Sequence, residues 1–261
     1  VTRGGVPTYD RIMRIIEENF SLYDSIYSIC CYDVQSDLVE LMEFYEKNDR
    51  RKGGKFPPVL RVSQINSAFT DFYDNVSPEK FTAHWVQREM LQTKYLDYII
   101  ANKTPPIFLS LLFSQIFVLL SERLKFFNDS RFYNCCCSTC VPGDKLFVES
   151  DGIYKICEKT NMQGLEIGSV EKGFCMNSAK NAICAYNKCI LEKCKKCSCS
   201  RLCSVCYASI KSFPSLELDG DDFCEKTIRS LTEYLAAYTN AVKTKKELNF
   251  ATGISGMLEK L

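Results

Sequence analysis

The stretch CKKCSCSRLCSVC (194–206) decides how this chain is read. It holds two C-x2-C steps, Cys194/Cys197 and Cys203/Cys206, with five residues between Cys197 and Cys203, and Cys224 follows further on. A C-x2-C step lets two thiolates on one tight turn face the same metal centre. Soft thiolates without histidine suit iron–sulfur clusters or zinc. Zinc ribbons separate such knuckles by about 12–20 residues. Five residues are too few for two independent knuckles to close one tetrahedral site. The spacing therefore favours ligands divided between neighbouring iron–sulfur clusters over zinc, disulfides or uncommitted thiols.

Working upstream, a second group appears as Cys140 and Gly152-x4-Cys157, with Cys135, Cys136 and Cys137 just before it. Lys145–Glu149 and Ile153–Cys157 flank Ser150-Asp151-Gly152, which predicts a hairpin with an Asp-Gly turn able to fold Cys157 back beside Cys140. From there to about Ser209 the composition, rich in Gly, Ser, Lys and Cys, predicts loops. Asp221 or Asp222 is placed to cap a last helix carrying Phe223, Ile228, Leu231, Leu235 and Val242.

The front half has a different character. Of 16 cysteines only Cys30 and Cys31 lie there, in Ser25–Tyr32, a β-branched and aromatic run of strand length. Ile12, Met13, Ile16 and Phe20 make one face of a helix that Thr8 is placed to cap. Ser36 is placed to cap a second helix through Tyr45, Val59–Ile65 reads as another strand, and Pro78 starts a third helix. Alternating helices and strands predict a parallel sheet with covering helices. Two strands are too few for a stable sheet or barrel alone, and the chain starts at Val1 rather than Met, so a fragment lacking upstream sequence is expected. The change of character sets a boundary near residues 125–134.

Composition excludes several classes. Lys plus Arg number 33 against 32 for Asp plus Glu, a net charge of +1 with no basic stripe, which argues against nucleic-acid binding. His84 is the single histidine, so multi-His metal sites are ruled out. The longest apolar run, Ile107–Leu120, is shorter than the roughly 20 residues that span a bilayer and reads as a buried helix started by Pro105-Pro106. No membrane role is expected, and a reducing cytoplasm is the expected compartment.

Taken together, the cysteine spacings resemble the SPASM domain, the auxiliary-cluster module of radical SAM peptide-modifying enzymes. That family runs C-x(9–15)-G-x4-C, then C-x2-C-x5-C-x3-C, then a last Cys. Here the series is Cys140-x11-Gly152-x4-Cys157, Cys194-x2-Cys197-x5-Cys203-x2-Cys206 and Cys224. The final x2 looks like the variant in maturases of cysteine-rich peptides, as do CVPGDKLFVESDG (140–152), ICEKTN (156–161) and IGSVEKGF (167–174). The front half is similar to the end of a radical SAM barrel. GGVPTYDRIMRII (4–16) resembles the helix after its fourth strand, and residues 25–32 and 59–65 its strands five and six. The fold expected is thus an α/β partial TIM-barrel remnant over residues 1–130. An α+β, loop-rich SPASM iron–sulfur domain is expected over residues 131–261.

The resemblance implies one auxiliary [4Fe–4S] cluster on Cys194, Cys197, Cys203 and Cys224. A second takes Cys140, Cys157 and Cys206, with Cys135, Cys136 or Cys137 as fourth ligand (Cys135 nearest in spacing) or with an open position. It also implies a parent enzyme with a third [4Fe–4S] cluster that cleaves S-adenosylmethionine, a precursor peptide as substrate and a flavodoxin or ferredoxin as electron donor. The AdoMet-cluster motif is not in this sequence. Cys199-x3-Cys203-x2-Cys206 matches its spacing, but only 55 residues follow and Val205 stands where an aromatic is expected. In the related sulfatase-maturing enzymes an Asp after the equivalent of Cys157 is a base. Here that position is Glu158, for which an ion pair with Lys159 or another lysine is the plainer expectation.

An anaerobic formylglycine-forming sulfatase maturase is the alternative within the family, and a zinc-binding structural module the alternative outside it. Cys175, Cys184, Cys189 and Cys199 are spare in this scheme. His84 reads as an ordinary helical residue beside Trp85, Cys30 and Cys31 as packed side chains, and Phe69, Phe72 and Tyr73 as a loop on the barrel.

Overall fold

The computed structural model describes residues 8–65, 71–122, 140–160, 165–194, 196–200, 202–209 and 223–254. They divide into two units. One comprises Val1–Ile65, Asn75–Arg123 and Tyr238–Leu261, and the other Asn66–Asp74 and Leu124–Ala237.

The first unit opens with α1 (Tyr9–Asn19), β1 (Ser28–Tyr32), α2 (Leu38–Asn48) and β2 (Val59–Gln64). The two strands are parallel, with Cys30 opposite Val62 and Tyr32 opposite Gln64, and α2 is the crossover between them. The cap of α2 is Asp37, one residue beyond the expected Ser36. Its carboxylate accepts from the Val39 and Glu40 amides at 2.9 and 3.0 Å, while the Ser36 hydroxyl turns back to donate to Asp33 at 2.8 Å. Thr8 makes no side-chain cap bond to α1.

Then follow α3 (Pro78–Ile100) and α4 (Ile107–Ser121), each begun by the prolines that fix φ without needing an amide donor. The Glu46 carboxylate accepts the otherwise unmatched Ile107 amide at 3.2 Å. Apolar on nearly every side, α4 is buried, with Phe108, Leu109, Phe113 and Phe117 fully shielded beside Leu38, Leu91 and Tyr95. The tail belongs to this core as well. The Tyr95 hydroxyl donates to the Phe250 carbonyl at 2.8 Å, and the Phe250 ring stacks on Phe117 at 5.3 Å. Among the described residues there is no closed barrel, and no helix is long and apolar enough to cross a membrane.

The second unit is built on an antiparallel sheet of β3 (Phe147–Val148), β4 (Ile153–Lys155), β5 (Glu166–Ser169) and β6 (Gly173–Phe174), paired in chain order. The β3–β4 hairpin turns where the Asp-Gly pair predicts it. Gly152 takes φ +84°, and the Asp151 carboxylate accepts the Ile153 amide at 3.0 Å. Beyond it the expectation of loops is corrected. A second hairpin, β5–β6, and the long helix α5 (Met176–Cys194) occupy much of that region. Ala179, Ala182, Tyr186 and Ile190 recur at helical spacing and pack on Ile156, Leu165 and Ile167 of the sheet side, with Tyr207 completing the core. The last helix is α6 (Phe223–Thr244), and its expected caps, Asp221 and Asp222, lie outside the described residues.

Candidate metal centre

The cysteines of interest sit at the rims of this small core. A tight turn follows Cys140: the Asp144 amide donates to the Val141 carbonyl at 3.1 Å, and Pro142 bridges to Lys145. Cys157 lies just beyond β4, where both the amide and the hydroxyl of Thr160 donate to its carbonyl, at 3.3 and 2.8 Å. Cys206 follows Val205, whose carbonyl accepts the buried Tyr186 hydroxyl at 3.0 Å, and precedes Tyr207, whose ring lies 4.5 Å from that of Tyr186. Tyr186 is thus the anchor of the Cys203–Cys206 segment on α5.

Burial pushes the Cys157 thiol up, and Cys206 is close enough to oppose its ionisation further. The Lys145 ammonium is held protonated by its bond to Glu158, and Cys157 and Cys140 also act on it. Lys145 Nζ lies 2.6 Å from Glu158 Oε2, so the lysine partner foreseen for Glu158 is Lys145. The bond to Lys145 holds the Glu158 carboxyl below the usual range and so makes it a weaker proton acceptor.

The other set is more strung out. Cys194 ends α5 and is partly packed on its core. The Cys197 amide donates to the Cys194 carbonyl at 3.1 Å, forming the turn that a C-x2-C step needs. Cys203 is half-buried three residues before Cys206, and Cys224 is exposed in the first turn of α6. Among the described residues, no group of three or more His, Cys, Asp or Glu side chains stands in metal-holding geometry.

No family model, curated protein or solved structure matches this chain.

Chemistry and chain placement give the test of fit for an iron–sulfur group. Cys140, Cys157 and Cys206 are soft donors, Cys140 before and Cys157 just after the β3–β4 hairpin, and a four-iron cluster on them would need a fourth ligand. Cys135, Cys136 and Cys137, the candidates for that ligand, lie outside the described residues, as does the side chain of Cys189. Cys194, Cys197, Cys203 and Cys224 would hold the other.

The remaining cysteines fall elsewhere. Cys30 is buried in β1, where burial raises its thiol, and it adjoins Tyr45; Cys31 is exposed. Cys175, exposed just before α5, is lowered by the Ser178 hydroxyl at 3.2 Å and by nearby amides. Two residues that matter for the site escaped the reading of the sequence. Tyr186 had a usable signal in its helical stripe with Ala179, Ala182 and Ile190. Lys145 had none, because its partner lies thirteen residues away across a hairpin.

Proposed function

We propose that this chain carries the auxiliary-cluster part of a radical SAM enzyme that modifies a ribosomally made peptide. In this reading the second unit binds two [4Fe–4S] clusters, and a precursor peptide and a small electron-donor protein are the partners. The observation that supports it best is the neighbourhood of Cys206. Cys203 and Cys206 are three residues apart, and Cys206 bears electrostatically on Cys157, which is consistent with ligands interleaved between two centres. Bound there, such clusters supply one-electron transfer at potentials set by charge, hydrogen bonding and exposure.

What the chain itself contributes is placement. Tyr186 fixes the Cys206 segment to α5, and Thr160 fixes the Cys157 turn. Glu158, in its ion pair with Lys145, acts here as a structural carboxylate beside the site.

Anaerobic reconstitution of the full chain tests the reading. Two four-iron clusters correspond to about eight irons per chain, with matching acid-labile sulfide and broad absorbance near about 400 nm. Cys206→Ala and Cys224→Ala are expected to remove different paramagnetic centres. A colourless protein with stoichiometric zinc, or loss of the same centre in both variants, would overturn it.

A further inference from the structure

We propose that His84 is an acid-released latch that holds the front half of α3, residues 78–90, against the end of β1 and the start of α2. The distribution of burial along the helix carries the argument. Over residues 78–90 His84 is the one buried side chain, whereas Leu91, Tyr95, Leu96 and Ile99 bury the back half at helical spacing. Trp85, Val86 and Met90 of the front half are each more than half exposed. The front half is therefore fastened at a few points only. The His84 ring stacks on Tyr32 of β1 at 5.8 Å, Arg88 donates to the Tyr32 hydroxyl at 2.9 Å, and Gln87 accepts the Leu38 amide of α2 at 3.0 Å. The latch lies in the first unit and is independent of what the cysteines bind.

Acid attacks the central fastening. Neither nitrogen of the buried His84 ring has a hydrogen-bond partner among the described residues. A neutral imidazole survives that at moderate cost, but an imidazolium brings a second donor and a full charge into the same dry place. The charged groups around the ring do not provide for it. Arg88, one turn further along α3, opposes a positive charge there, and Asp33, just past β1, favours it. Asp33 Oδ1 already accepts the Ser36 hydroxyl at 2.8 Å and the Gln35 amide at 3.0 Å, and Asp37, the cap of α2, is committed to the Val39 and Glu40 amides. The Tyr32 hydroxyl is held by Arg88. On the inward face of a helix, the ring reaches water only if the helix lifts. Lifting breaks the Gln87–Leu38 and Arg88–Tyr32 bonds and leaves the back half seated. Burial and Arg88 keep the seated His84 below its ordinary value of about 6.5, to which a lifted ring returns. Neutral His84 thus holds the helix down above that pH, and its hold weakens as pH falls below it.

The test is amide hydrogen exchange on the full chain at several pH values, with the pH dependence of chemical exchange divided out. The opening equilibrium of amides 82–90 is expected to rise by up to about thirtyfold between pH 7.5 and 5.0, while amides 95–100 and those of α4 hold their protection. His84→Phe keeps an apolar ring in place and is expected to abolish the rise. His84→Gln, polar but unable to titrate, is expected to abolish it as well, from a lower starting protection, and so keeps the test open if the phenylalanine variant folds poorly. Three results would overturn the latch. They are an opening of residues 82–90 that does not change with pH in the wild type, the wild-type rise persisting in either variant, and an equal loss of protection in the back half of α3, which is the mark of general acid unfolding.

Discussion

Replacing His84 with phenylalanine is expected to stabilise the first unit and to flatten its response to acid. His84 is 3% exposed, and among the described residues neither ring nitrogen has a hydrogen-bond partner. Its ring lies against Tyr32 at 5.8 Å, a contact that an apolar ring of similar shape retains. A neutral imidazole buries one donor and one acceptor, and leaving such a group unsatisfied costs about 1–3 kcal/mol. A slightly larger ring in a packed site gives back up to about 1.5 kcal/mol of that. The net expectation is a gain of about 1 kcal/mol at pH 8.

The pH dependence is a second, independent reading of the same site. Burial lowers the His84 pKa, the Arg88 charge lowers it further, and Asp33 opposes them. Below the unperturbed value of about 6.5, the unfolded chain therefore binds a proton that the folded chain resists. Stability from neutral His84 is complete above that pH and declines as pH falls through it. With no other histidine in the chain, that slope has a single histidine source. Urea unfolding followed by the fluorescence of Trp85, the only tryptophan, reports this unit directly. The reasoning fails if His84→Phe is destabilising at pH 8 and leaves the slope between pH 5.5 and 7.5 unchanged.

Two further outcomes test the second unit. Gly168 has φ +145°, and a Cβ there would lie 2.1 Å from the Gly173 carbonyl oxygen, so Gly168→Ala should break the β5–β6 hairpin. Backbone strain alone costs on the order of 1–3 kcal/mol, and faster amide exchange across residues 166–174 is the measurement that checks it. Tyr186→Phe should cost about 0.5–1.5 kcal/mol by removing its hydrogen bond to the Val205 carbonyl. In the reconstituted protein it should broaden the signal of the centre that depends on Cys206 while sparing the one that depends on Cys224. A wild-type spectrum would remove Tyr186 from its positioning role.

The front half was legible because its signals are local. Pro78 and Pro105-Pro106 start α3 and α4 where a fixed φ is an advantage, and the parallel pairing of β1 with β2 follows from the helix between them. The hairpin at Asp151-Gly152 is equally local. The helix α5 was missed for a physical reason. Its buried stripe begins with Ala179 and Ala182, too small to register as hydrophobic punctuation, and cysteines, lysines and asparagines surround it. It is the sheet that gives those alanines their value, by close approach. The site divides in the same way: cysteine spacing was visible, whereas the Lys145–Glu158 pair and the Tyr186 anchor exist only after hairpin and helix have folded.

A boundary drawn from composition also hides where the tail goes. Tyr95 finds its acceptor in Phe250, and Lys245 donates to the Ile100 carbonyl at 3.2 Å, closing the end of α3. Anyone cutting this polypeptide in two at the change of composition would strand a plug without its socket. A usable front piece has to carry residues 238–254 grafted back on, and a plain truncation near 130 should yield material that sticks to itself.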